Sequence, residues 1–356
     1  MGRKLLKVYV IRPIRNFFLY HLAKGISYEP YIIPRRIATT WHGFLAGCAY
    51  PFITSLHRTI EKNLAIAYGE GTYTKAQAYR FGKKLMVLLV SCLNDYIWLS
   101  HKKTREEFSK YFTFEGEEHL AEAYKRGKGV ICMVPHTCGW EFSAIMPPVM
   151  GYETSAVSSK LRNPGLNRFI IELRESRGMK NISRENSQGM KNLSEKDRCY
   201  DKLTGALNKG ECLIIMIDQD STNIKGEFLK FFGHTAYSPL GVARLALDTE
   251  AAIVPMFTIR KDDGTYVFKI LPEVPMEITG DRKYDISHNS QIHNDVMESI
   301  VRQYPDQWLW FHKRWHTTPE ILAFHLKVRA DEREIARQRE LKEQEKREHK
   351  QAKKHS

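Results

Sequence analysis

The run Val134-Pro135-His136-Thr137-Cys138-Gly139-Trp140-Glu141 sets an imidazole and a carboxylate five residues apart. The apolar run Val130–Val134 precedes it, so His136 is expected at the carboxyl end of a strand, the edge where open α/β sheets build their sites. Residues five apart lie about 140° apart on a regular helix. His136 and Glu141 therefore meet only if Thr137 to Gly139 form a turn before the helix begins, and Gly139 suits such a turn. A histidine held by a carboxylate is fixed in one tautomer and stabilised as a cation, which equips it to take a proton from an alcohol. No nucleophilic serine is needed. The same spacing also fits a hydrogen-bonded structural histidine, and Cys138 reads as turn packing rather than as a nucleophile.

The elements that must position this pair follow from the change of hydrophobic period along the chain. Ser55–Tyr68 and Thr74–Ser100 read as helices, with polar starts followed by apolar residues three and four apart. From Val130 onward, short β-branched runs take over at Val130–Val134, Glu153–Ser158, Cys212–Ile217 and Ala252–Ile259. Helical segments separate them near Gly139–Val149, Pro164–Arg177, Lys191–Asn208 and Pro239–Asp248. Such alternation predicts an α/β fold with a mostly parallel central sheet flanked by helices. Tyr266–Leu271, after Asp263-Gly264, reads as the hairpin partner of the preceding strand and as an antiparallel edge. Residues 289–304 form one more helix.

Charge places the partner surface. The 356 residues carry a formal charge of +14, of which residues 1–62 hold +8 (ten Lys/Arg against Glu29 and Glu61) and residues 321–356 hold +4 (eleven Lys/Arg against seven Asp/Glu). The body between them is close to neutral. This argues for an anionic membrane surface or a phosphorylated substrate over a nucleic acid, although Lys313-Arg314 beside aromatics resembles a base-stacking platform. Leu5, Leu6, Val8, Val10, Ile11, Ile14, Phe17, Phe18, Leu19 and Leu22 lie among Lys4, Lys7, Arg12 and Arg15, the composition of a helix resting in a lipid interface. A helix docked on its own domain is the alternative.

The longest stretch without charged residues, Ile37–His57, is broken by Thr39, Thr40, His42, Pro51, Thr54 and Ser55, so its apolar part falls short of the roughly 20 residues of a spanning helix. Pro13 and Arg15 interrupt the first apolar run, unlike a signal peptide. The six cysteines form no C-x-x-C pair and show no zinc spacing, which suits a reducing compartment and predicts no metal site. Three segments result: a basic docking region at 1–54, a catalytic domain at 55–318 and a charged tail, helical or disordered, at 319–356.

The order of short blocks is more specific than any one of them. Glu115-Gly-Glu-Glu-His-Leu, Gly127-Lys-Gly-Val-Ile, His136-x-x-x-Trp140-Glu141, Arg162-Asn163-Pro164, Arg174-x-x-Arg177-Gly178, Asp218-Gln219-Asp220, Phe231-Phe232-Gly233 and Pro305–Trp315 stand in that order. Over roughly residues 55–316 this resembles the lipid A biosynthesis lauroyl/myristoyl acyltransferases of the lysophospholipid acyltransferase group. The usual His-x-Gly-Asn-Trp-Glu turn departs here to Cys138-Gly139, and the usual Tyr-Arg pair after the next strand is replaced by Ser158-Ser159-Lys160 with Arg162 following.

The resemblance implies a glycerolipid acyltransferase-like domain that moves a fatty acyl chain from an acyl-carrier-protein or CoA thioester to a hydroxyl of a phosphorylated membrane glycolipid. It implies His136 as base and Glu141 as its orienting carboxylate, without metal or organic cofactor. Backbone N–H groups after His136, or Arg177, are candidates for the oxyanion. Lys160, Arg162, Arg174, Arg177, Asp218 and Gln219 are expected on the substrate side. Trp140, Phe231, Phe232 and Trp308 are candidates for an acyl slot, with core packing as the other reading. The expected location is the cytoplasmic face of a bacterial inner membrane, peripheral or interfacially anchored. An acyltransferase for a phospholipid or another glycolipid, of the lysophospholipid or phosphatidylinositol-mannoside type, and a non-catalytic binding protein of the same fold remain as alternatives.

Overall fold

The computed structural model describes residues 11–184 and 193–331, together with 334, 335 and 338. The residues expected on an amphipathic helix at Leu5, Leu6, Val8 and Val10, the helix start expected at Lys191 and most of the charged tail lie outside the described residues. Residues 319–331 are helical.

The strands are β1 (Phe112–Glu115), β2 (Val130–Met133), β3 (Thr154–Ser159), β4 (Met179–Arg184), β5 (Cys212–Ile215), β6 (Gly226–Phe231), β7 (His234–Pro239), β8 (Ala252–Arg260) and β9 (Tyr266–Ile270). Seven form one sheet in the order β1-β9-β8-β2-β5-β3-β4, and β6 and β7 form a separate ribbon. β8, β2, β5, β3 and β4 are mutually parallel. β2 and β5 are buried along their whole length, as uninterrupted apolar runs between two covered faces must be.

The β8–β9 hairpin is antiparallel as expected, but it is not the edge of the sheet: β1 pairs parallel with β9 from Phe112↔Tyr266 onward and takes that place. β1 is four residues long, too short to show a period. β4 and the ribbon were also unexpected from the sequence. β4 mixes Lys, Asn, Ser and Arg with two apolar residues, as suits an edge strand. The ribbon turns through Phe232 and Gly233, both at positive φ, the backbone of a tight hairpin.

The helices are α1 (Arg12–Ile26), α2 (Arg35–Ala49), α3 (Thr54–Tyr68), α4 (Lys75–Trp98), α5 (Arg105–Phe108), α6 (Glu117–Lys125), α7 (Trp140–Val149), α8 (Pro164–Glu175), α9 (Leu193–Asn208), α10 (Gly241–Thr249) and α11 (Arg282–Gln303). Local chemistry sets several starts. Thr74 and Gln77 close a capping box at α4, and Asn163 accepts from the N–H groups of Gly165 and Leu166 ahead of α8, which opens on Pro164. α11 starts at Arg282, earlier than 289, because Asp281 caps Lys283 and Tyr284.

The N-terminal helices are fastened to the body while their outer faces stay apolar. α2 lies close on α4, where a Cβ on Gly43 would meet Ser91 Oγ and Val87 Cγ1 at 3.2 Å. The fully buried Asp95 of α4 accepts from Arg35 Nε (2.8 Å) and Nη2 (2.7 Å), Thr39 Oγ1 (2.7 Å) and Tyr266 Oη (2.6 Å), with Arg260 Nε at 3.4 Å. α1 sits on the start of α8: Asn163 Nδ2 donates to Asn16 O at 2.9 Å, and Tyr20 covers Gly165. Phe17, Phe18 and Leu22 of α1, Ile37, Trp41 and Phe44 of α2, and Ile32 and Phe52 in the connections are exposed. No helix among the described residues is long and apolar enough to cross a membrane.

Candidate active site

Strand register assembles the site. Met133 of β2 faces Ile215 of β5 in a parallel pair. Chains that leave neighbouring parallel strands in register stay side by side, so His136 and Asp218, each three positions beyond its partner, meet at the carboxyl edge. His136 Nδ1 lies 2.6 Å from Asp218 Oδ1, and the His136 backbone N–H donates to Oδ2 at 2.7 Å. The Trp308 indole N–H donates to the same oxygen at 2.7 Å. Burial alone would raise the Asp218 pKa, yet the facing His136, its hydrogen bond and the Trp308 N–H hold it well below the usual carboxylate range. An ionised Asp218 accepts only, so Nδ1 carries a proton toward it, and the neutral form of His136 presents its lone pair at Nε2.

Nε2 faces the side-chain amide of Gln219, whose nitrogen lies 2.9 Å away. The next residue, Asp220, holds the C-terminal segment over the site by accepting from the Thr317 N–H (2.6 Å) and Thr317 Oγ1 (2.7 Å). That segment also pairs with the turn after His136, where Cys138 N–H donates to Gln307 O at 2.6 Å and Leu309 N–H to His136 O at 3.0 Å.

The expected His136–Glu141 contact does not form. The turn at Thr137–Gly139 is present and the helix starts at Trp140, but Glu141 accepts from Arg174 Nη2 (2.6 Å) and Nε (3.0 Å), and from Trp140 Nε1 (3.0 Å). The reason is electrostatic: a buried carboxylate is best served by a permanent, two-pronged cation, and His136 Nδ1 already has Asp218. Gly139 has an ordinary negative φ. It is needed for space, since a Cβ there would press on Thr258 at 3.0 Å.

The remaining expected residues divide by place. Asp218 and Gln219, expected on the substrate side, touch the imidazole itself. Arg177 is not at the site: it is 4% exposed, lies over the Tyr96 ring and donates to the carbonyls of Leu173 and Tyr96, and its burial lowers its pKa. That removes it as an oxyanion donor. Lys160 and Arg162 are exposed just before α8, where Lys160 lines an open groove with Leu161, Asn167 and Arg168.

Of the acyl-slot candidates, Phe231, Phe232 and Trp308 are buried together in the aromatic core, and Trp140 alone is partly exposed, its ring centroid 6.2 Å from that of His136. One residue at the site, His312, was given no role by the sequence reading, and it reaches Gln219. Arg314, read there with Lys313 as a base-stacking platform, is instead fully buried, donates to Tyr237 O and Ser238 Oγ and ties the ribbon to the C-terminal segment. Burial pushes the Arg314 pKa down to about 10. A histidine inside an otherwise aromatic block was the available signal for His312.

The profile described as bacterial lipid A biosynthesis acyltransferase matches residues 17–317. The chain is 26% identical over 209 residues to the lipid A biosynthesis acyltransferase of Haemophilus influenzae, covering 58% of this chain and 60% of that one. It is 25% identical over 198 residues to the phosphatidylinositol mannoside acyltransferase of Mycolicibacterium smegmatis, covering 56% and 60%. It is 24% identical over 280 residues to the lipid A biosynthesis palmitoleoyltransferase of Escherichia coli K12, covering 77% and 83%. The chain thus spans about 60% of the length of the first two relatives. With a profile match running from α1 to the segment that closes over His136, this chain belongs to the bacterial lipid A biosynthesis acyltransferase family.

Proposed function

We propose that the protein transfers a fatty acyl chain from an acyl-carrier-protein or CoA thioester to a hydroxyl of a membrane glycolipid, a lipid A precursor in the first instance. The observation that carries this reading is the buried Asp218 carboxylate fixed on His136 Nδ1, which leaves Nε2 as a base at a sheet edge. The acceptor hydroxyl displaces the Gln219 amide and gives its proton to Nε2 as its oxygen attacks the thioester carbonyl. The tetrahedral oxyanion collapses, the C–S bond breaks and the imidazolium returns the proton to the leaving thiolate. Asp218 stabilises the imidazolium between these events.

The backbone N–H groups of Gly139 and Glu141, free of hydrogen-bond partners among the described residues, supply the oxyanion donors. Arg174 neutralises Glu141 so that no net negative charge opposes the developing oxyanion. Glu141 in this reading holds the turn and α8 together rather than orienting His136. Lys160 and Arg162 meet phosphate on the acceptor.

The exposed apolar side chains of α1 and α2, flanked by Arg12, Arg15, Lys24 and Arg36, support interfacial docking on an anionic bilayer. The thioester donor places that bilayer face toward the cytoplasm. Phe18→Asp is expected to lower binding to vesicles containing anionic lipid, read by co-sedimentation, with the fold unchanged. Likeness to a phosphatidylinositol mannoside acyltransferase favours a second reading in which the acceptor is that glycolipid.

Mass spectrometry decides between them, after the full chain and His136→Ala are incubated with acyl-carrier-protein and CoA thioesters and with underacylated lipid A precursor or phosphatidylinositol mannoside. A gain of one acyl chain on the lipid A precursor, absent with His136→Ala, is expected. A gain only on the mannoside moves the acceptor, and full turnover by His136→Ala removes His136 as the base.

A further inference from the structure

The Gln219 amide nitrogen stands between two imidazoles, 2.9 Å from His136 Nε2 and 3.0 Å from His312 Nε2. The rings meet edge to face with centroids 5.1 Å apart. The segment that carries His312 is held there by α3: Asn63 Nδ2 donates to the carbonyls of Trp310 (2.8 Å) and His312 (2.6 Å). An amide NH2 group has two protons and no acceptor capacity, so both ring nitrogens facing it are bare lone pairs. His136 then carries its proton on Nδ1, toward Asp218, and is ready to act as a base.

The opposite orientation of the same amide has a definite consequence. Rotated by half a turn, Gln219 would set its carbonyl oxygen between the rings, and both ring nitrogens would need a proton to meet it. His136, already donating through Nδ1, would be an imidazolium and no base. One side-chain rotation therefore links the proton occupancies of the two histidines.

We propose that His312 is a positioning residue for acyl transfer: by accepting one Gln219 N–H it holds the amide nitrogen inward and keeps His136 Nε2 unprotonated until the acceptor hydroxyl displaces the amide. This rests on the reading of His136 as the base. Burial, with the neighbouring His136 adding to it and Asp218 opposing it, holds the His312 pKa down to about 4, so His312 is a neutral acceptor at neutral pH. Apart from the rings themselves, Asp218 is the charged group among the described residues that acts on both, and Asp218 in turn interacts with Arg314, which also interacts with Asp220.

The test is an imidazole NMR titration of the full chain in detergent micelles with ¹⁵N-labelled histidine, His136→Ala serving for assignment. In the wild type both His136 and His312 are expected as Nδ1–H tautomers at pH 7. In His312→Phe, which keeps a ring and removes the acceptor, the His136 midpoint is expected to rise by about one pH unit, a tenfold change in its protonation ratio. The acid limb of kcat/KM is expected to move by the same amount. Adding Gln219→Met, which has no carbonyl to turn inward, is expected to bring the midpoint back toward the wild-type value.

A wild-type His136 protonated on Nε2, or a midpoint that stays in place in His312→Phe whatever happens to the rate, overturns the proposal. The tautomers and midpoints are read without turnover. An active His136→Ala variant would therefore remove the base assignment while the link between the two rings was still measured.

Discussion

Two buried aspartates anchor this molecule, and their partners separate scaffold from chemistry. Asp95 and Asp218 are both fully buried and both collect several donors. Asp95 faces two guanidiniums, Arg35 and Arg260, with a threonine and a tyrosine hydroxyl completing its shell. Asp218 faces an imidazole and an indole N–H. A guanidinium does not give up its proton in the working pH range, so the Asp95 cluster can only hold α2 against α4 and the β8–β9 hairpin. An imidazole does, so the Asp218 cluster can hold a proton and release it. Equal burial and similar hydrogen-bond counts thus carry different roles, set by whether the partner titrates.

The sharpest way to break this comparison is Asp218→Asn, which keeps shape and removes the charge. Loss of the anion that fixes the tautomer and stabilises the imidazolium is expected to lower kcat by about ten-thousandfold, as the corresponding change does in hydrolytic triads. Thermal unfolding and kcat are measured together; a variant that is less stable but fully active would make Asp218 a second Asp95. Asp95→Ala is the mirror experiment. Two partly buried guanidiniums left without their anion are expected to cost about 3 kcal/mol of stability, read by denaturant unfolding, while kcat of the folded protein stays within a few-fold of wild type.

A smaller effect tests the other ion pair at the site. Arg174→Met leaves Glu141 an uncompensated anion near the reacting carbonyl and is expected to lower kcat about tenfold. Adding Glu141→Gln is expected to return most of the loss, and a double-mutant cycle with no recovery would refute the neutralising role.

The smallest effect is on stability against pH. The native Asp218 pKa lies below its unfolded value of about 3.9. Its contribution is therefore complete above that value and is lost as pH falls through the native pKa. The unfolding free-energy difference between wild type and Asp218→Asn is expected to be larger at about pH 5 than at about pH 3. The difference should shrink below pH 4, where urea unfolding would detect it.

Much of the fold was legible from particular residues. Val130–Val134, Cys212–Ile217 and Ala252–Ile259 declared buried parallel strands by their uninterrupted apolar character. Thr74 and Asn163-Pro164 declared helix starts through capping chemistry confined to a few residues. β1 and β4 were not legible, because a four-residue strand and a polar edge strand owe their structure to the neighbour they pair with. At the site, the histidine and its turn could be read, while the partner of each charged group could not.

The sequence by itself determined that an imidazole stands at the carboxyl end of a strand, that α/β alternation builds the sheet behind it, and that basic and apolar residues cluster toward the N-terminus. These are local properties of period, capping and composition, each set within a few residues of chain. Only the tertiary structure decided which carboxylate holds His136. Glu141 is near in sequence but is claimed by Arg174, whereas Asp218 is distant in sequence and meets His136 through the β2–β5 register. Hydrogen bonds between side chains follow proximity in space, and in a parallel sheet that proximity is set by which strands pair and in what register, which no short stretch of chain encodes.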